Sequence, residues 1–130
     1  MKKYLNIALA YAIAAMVGGV FYREFTKYSG FAGVTALGKV HAHLFLLGML
    51  VFLVVALYGA HNDLGKIKTF RIGVPLTAIM LVVRGVAQVR GLALSAAANA
   101  SISGIAGIGH ILTGAGIILL LLSLKKLAKN

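Results

Sequence analysis

Three histidines stand inside runs of apolar residues: His41 and His43 in GKVHAHLFLLGML (38–50), and His110 in GIAGIGHILTGAG (104–116). Neutral imidazole can ligate a metal through one nitrogen while its other N–H binds an acceptor, and an ionisable group in an apolar span faces a bundle interior or marks a site. The bland reading is an interfacial hydrogen-bonding residue. Two histidines side by side, with a third on another segment, weigh against that reading. Residues two apart on a helix are about 200° apart round its axis, so His41 and His43 serve different faces unless the helix is distorted.

The elements that must position these residues are read from the hydropathy. Of 130 residues, 61% are hydrophobic and 12% charged, too apolar a chain to cover a water-soluble globule. Uninterrupted apolar stretches predict helices over about 4–24, 38–60, 70–90 and 102–124, each long enough to cross a bilayer. The segments lack the alternation of barrel strands. The expected fold is all-α: one domain, 1–130, forming an integral membrane four-helix bundle. Met1-Lys2-Lys3 and Ala10-Tyr11-Ala12 resemble a secretory leader and its cleavage site, but the apolar run continues to Val20, longer than a leader's core. The absence of cysteine excludes disulfides and thiolate sites.

The net charge of +11 suggests nucleic acid until the charges are located. Lys2, Lys3, Lys66, Lys68, Arg71, Lys125, Lys126 and Lys129 all fall on one side of the expected membrane, which the positive-inside rule makes cytoplasmic. Both termini are therefore expected inside, in the cytoplasmic membrane, with the lipid bilayer as partner and no nucleic acid. Arg23, Lys27, Lys39, Arg84 and Arg90 lie towards the outer side.

Along the chain, Ala14 with Gly18 and Ala15 with Gly19 allow a close helix neighbour. Thr69 is a candidate cap for the third helix, and Pro75 falls in its first turns. Residues 95–101, SAAANAS, read either as a small helix or as a link. His61, in the inner turn HNDLGK, reads as a polar cap. At about 1.5 Å per residue, His41 and His43 lie roughly 4–8 Å, His110 about 12 Å and Arg84 about 9 Å below the outer ends of their helices. Ser103, Gly107, His110 and Gly114 share one face of the last helix; such small residues leave room for a flat macrocycle or for another helix. Helical haem proteins bind iron with histidines from facing helices. Arg23, Arg84 and Arg90 are candidates for the two haem propionates, and an Arg84–Glu24 ion pair is the rival use of that arginine.

The stretch Val40-His41-Ala42-His43-Leu44-Phe45-Leu46-Leu47-Gly48 resembles the His-x-His helix of subunit I of haem–copper oxidases. The resemblance implies that His41 matches a high-spin and His43 a low-spin haem ligand. It also implies that a four-helix chain stands for one of three pseudo-symmetric arcs, hence a homotrimer. Helix 3 has no adjacent histidine pair for a copper centre and no accompanying tyrosine, so oxygen reduction is not implied. As a whole, with Phe21-Tyr22-Arg23-Glu24-Phe25 and the His-x-His segment, the chain also resembles a family of small four-helix bacterial membrane proteins of unknown function.

The function expected from these features is haem b binding with His41, His43 and His110 as candidate iron ligands and Arg23, Arg84 and Arg90 around the cofactor. The role would be electron transfer, with a redox partner, or haem or gas sensing, or haem handling. The alternatives are a cofactor-free scaffold or accessory subunit, then a small metal or solute permease. With Glu24 and Asp63 the only acids, and no nucleotide-binding loop, no independent enzyme site is read.

Overall fold

The computed structural model describes residues 1–58 and 67–128; His61, Asp63, Lys66 and Lys129 lie outside the described residues. It contains four helices, each long and apolar enough to cross a membrane: α1 (Lys2–Tyr28), α2 (Leu37–Tyr58), α3 (Lys68–Val89) and α4 (Ala96–Leu127). The chain is a multi-pass all-α protein of the kind the hydropathy predicts. Large apolar side chains such as Leu9, Ile13, Met16 and Val17 are exposed along α1, as a lipid-facing helix requires.

The ends differ from the expected ones for local reasons. At the end of the molecule where α1 finishes, called the upper end below, α1 runs on to Tyr28 and stops at Gly30. That glycine has φ +63°, with Phe31 N–H bonded to the Thr26 carbonyl (2.9 Å) and Gly30 N–H to that of Lys27 (3.2 Å). α3 stops in the same way at Gly91, φ +60°, with Leu92 N–H on the Ala87 carbonyl. The SAAANAS stretch is the start of α4: Ser95 is its N-cap, accepting from Ala98 N–H at 3.1 Å. Thr69 lies in the first turn of α3, two residues beyond the N-cap position, which Ile67 occupies without a side-chain cap bond.

Packing follows chain order, α1 on α2, α2 on α3, with the most extensive contact between α3 and α4. Small residues let the backbones meet. Ala15 is fully buried, Gly18 meets Val40 and Gly19 meets His41, as the pairs in helix 1 predict. Gly73 lies on Thr113, Gly109 on Thr77 and Gly116 on Phe70. The lower core draws on all four helices through Ala8, Phe52, Val55, Phe70, Val74 and Leu120. The upper core (Ala15, Leu37, Val40, Leu44, Ala78, Val89) comes from α1 to α3 alone, so towards the upper end α4 holds on through α3.

α2 is not a uniform α-helix: Leu44–Leu50 is π-helical. The cause is legible in its buried face, Val40, Leu44, Gly48, Phe52 and Ala56, each four residues from the last. In an α-helix a step of four overshoots a turn by about 40°, so this stripe would drift by about 160° over its length. Underwinding by a π segment cancels part of that drift and keeps the stripe on the core.

Candidate functional site

The two neighbouring histidines of α2 diverge, as their spacing demands. His41 turns to α1, where its Cβ and Cγ would touch a Cβ placed on Gly19, and its Nδ1 is buried without a hydrogen-bond partner. His43 turns the other way and meets His110 of α4, the ring centres 6.4 Å apart and the planes at 82°. The register supports this meeting. Leu37 sits on Gly85 and Gly109 on Thr77, which places both histidines at about the level of residues 76–79 of α3.

Both imidazoles are held in the same manner. His43 Nδ1 lies 2.9 Å from the Lys39 carbonyl oxygen and His110 Nδ1 lies 2.8 Å from that of Ala106. A carbonyl oxygen only accepts, so in each neutral ring Nδ1–H is the donor and Nε2 keeps its lone pair. This is the arrangement that orients a metal-ligating histidine, the outer N–H fixed by a backbone carbonyl. With metal–nitrogen bonds of about 2.0–2.1 Å and a ring nitrogen about 1.1 Å from the ring centre, two imidazoles on opposite sides of one metal have centres about 6.3 Å apart, against about 5 Å at a tetrahedral angle. The observed spacing matches the opposed arrangement. Among the described residues no three of His, Cys, Asp or Glu gather, so a three-ligand protein site is absent there.

The surroundings separate two kinds of glycine on α4. Gly109 and Gly116 are occupied by α3, whereas a Cβ at Gly107 or Gly114, on the face of His110, would meet nothing within 4 Å. The sequence left that face open to a macrocycle or a helix; among the described residues, no helix fills it. His110 is exposed on the protomer and His43 half-buried, beside an apolar hollow of ≈ 250 Å³ lined by Ala42, His43, Leu46 and Leu47.

A family model described as a protein of unknown function, DUF2871, matches residues 1–127. The chain belongs to the DUF2871 family. No curated protein and no solved structure matches it, so the oxidase likeness of the His-x-His stretch gains no support from the comparisons.

In this DUF2871 protein the cations are distributed otherwise than the sequence suggests. Arg84 does not pair with Glu24; its guanidinium clamps α3 to α4, donating to Asn99 Oδ1 at 2.9 Å and Ser103 Oγ at 2.7 Å. Ser103 stands about 10 Å above His110 on one face of α4, so Arg84 borders the histidine pair from above. Glu24 instead lies 3.6 Å from the adjacent Arg23, both well exposed. Arg23 and Arg90 are exposed, and among the described residues neither bonds to this group. Gln88 and Thr35 carry a role missed in the sequence: Gln88 Oε1 accepts from Ala36 N–H at 2.8 Å, and Thr35 Oγ1 donates to the Gly85 carbonyl at 3.0 Å. Together they fasten the start of α2, and hence His43, to α3.

Proposed function

We propose that this DUF2871 protein binds haem b between α2 and α4, with His43 and His110 as the two axial ligands through Nε2, and that it carries single electrons. The observation that carries the reading is the histidine pair: opposed-ligand spacing of 6.4 Å, with both outer nitrogens tied to carbonyls. When bound, haem would supply a reversible Fe(III)/Fe(II) couple, with His43 and His110 the residues that would hold its iron. Two protein ligands on one iron would favour electron transfer over gas binding. The chain's own part is to fix both rings, keep Nε2 unprotonated, and present Arg84 as the cation for a carboxylate at the upper edge. Gly107 and Gly114 leave the helix face bare where a flat ring needs space.

The wider assignment belongs to the same proposal: a cytoplasmic-membrane protein with both termini inside, on the positive-inside distribution, and a homotrimer, on the resemblance of its His-x-His helix. His41, facing α1, is not assigned to this haem. The test is expression in a haem-competent host, purification and an absorption spectrum of oxidised, reduced and CO-treated protein. A low-spin Soret and α-band that ignore CO and vanish in His43→Ala and His110→Ala support the reading. No Soret band before or after haem addition overturns it, and bound metal without haem would reassign the pair. Native mass spectrometry decides the trimer.

A second reading, a cofactor-free scaffold, is favoured by the Arg84, Gln88 and Thr35 bonds, which are all architectural. It expects the two alanine variants to change assembly or stability with no chromophore at any stage.

A further inference from the structure

Three observations meet at the middle of α2. The π-helical turns Leu44–Leu50 begin directly after His43. Gly48, buried within them, lies so close beneath the Tyr11 ring of α1 that a Cβ there would overlap it. The same ring stacks on Phe52, just below the π turns, with centres 5.5 Å apart and planes at 9°. Phe52 is held on its own account by Phe70 of α3, at 5.6 Å. Tyr11 therefore grips α2 both inside the underwound turns and below them.

A π-type bond spans one residue more than an α-type bond, so the segment holds about one residue beyond what an α-helix would need, and one residue is about 100° of rotation. If Leu44–Leu50 rewound as α-helix with Phe52 fixed, His43 would swing by about 100° round the axis and leave the side on which His110 stands. The direction of the imidazole thus depends on the winding of the turns beneath it. A side chain at Gly48 would compete with the ring for the space that holds this winding.

We propose that Tyr11 and Gly48 are a positioning pair for His43: the ring seated on the bare backbone keeps α2 underwound and so turns His43 towards His110. The spectroscopic test of this inference rests on the haem reading; the placement of the ring does not, so each can fail without the other.

The test uses the full chain in nanodiscs. Gly48→Ala is expected to exchange the six-coordinate low-spin spectrum for a five-coordinate high-spin one that binds CO, with helix content and assembly mass retained. Tyr11→Phe, which keeps the ring, leaves the low-spin spectrum in place. Tyr11→Leu, which keeps apolar bulk without the flat ring, reproduces the Gly48→Ala spectrum and serves if the alanine variant does not fold.

A haem-free readout is open because the chain has no cysteine of its own. His43→Cys with His110→Cys, treated with a short bifunctional thiol reagent, gives a crosslink whose yield falls several-fold when Gly48→Ala or Tyr11→Leu is added. Unchanged crosslinking in both backgrounds overturns the proposal. Lost crosslinking in a protein that never binds haem upholds it and ends the haem reading.

Discussion

Gly109→Ala, one methyl group placed next to His110, tests how tightly the α3–α4 seam sets the histidine pair. The new Cβ would lie 2.8 Å from Thr77 Oγ1 and 3.0 Å from Thr77 N. The hydroxyl can rotate away, but the backbone nitrogen cannot, and ordinary contact begins at 3.4 Å. The two helices must therefore separate by about 0.4 Å, twice the ~0.2 Å within which metal–ligand distances are held. Overpacking of this kind costs about 1–3 kcal/mol, which outweighs the gain of about 1 kcal/mol from replacing glycine by alanine in a helix. The control is Gly104→Ala, whose Cβ would meet nothing within 4 Å; it is neutral or slightly stabilising. Haem content per chain, spin state and unfolding midpoint are compared for the three proteins. Gly109→Ala is expected to unfold earlier and, if the pair holds haem as proposed, to lose haem or turn partly high-spin. A Gly109→Ala protein with full haem, an unchanged low-spin spectrum and a wild-type midpoint refutes the claim that this seam positions His110.

Other outcomes follow from single contacts. Arg84→Ala removes the bonds to Asn99 and Ser103; at about 0.6 kcal/mol for an average interhelical bond in a membrane and about 1.7 at most, stability falls by roughly 1–3 kcal/mol in a denaturant titration in mixed micelles. Arg84→Lys regains less than half of this, since a point charge cannot span both acceptors. Ser95→Ala loses the cap on Ala98 N–H and costs about 1 kcal/mol, read as faster amide exchange confined to the first turn of α4. If His43 and His110 hold haem as proposed, ring planes at 82° would give the oxidised protein a strongly anisotropic low-spin EPR signal, and a weakly anisotropic one would mean parallel rings.

Much of the fold was legible because each helix is a long apolar run, and hydropathy alone locates such runs. The ends were less so. Gly30 and Gly91 stop α1 and α3 by adopting positive φ, a signal present in the sequence but masked by many other glycines. SAAANAS reads both ways until Ser95 is seen to cap it. At the site, the opposed directions of His41 and His43 follow from a two-residue step on a helix. That His43 meets His110 does not, because it depends on the α3–α4 register, set by Thr77 against Gly109, and on the winding of α2. The buried residues four apart from Val40 to Ala56 account for that winding, but 44–58 is apolar at almost every position, so the sequence does not single the stripe out. The Arg84–Glu24 pairing misled because opposite charge is visible in a sequence, whereas the neutral oxygens of Asn99 and Ser103 are ordinary residues until the register brings them under the guanidinium.

The Arg84 clamp also bears on how the chain enters the bilayer. An arginine within a span adds about 2.5–3.5 kcal/mol to the insertion of that helix at its centre, and less near its ends. The acceptors that relieve it lie 15 and 19 residues further along, on α4, and so are synthesised after α3 is complete. α3 and α4 are thus expected to partition into lipid as one helical hairpin. Chains truncated after Val89 should leave α3 less completely inserted than chains extended through Ser103, a difference that glycosylation-site mapping would score directly.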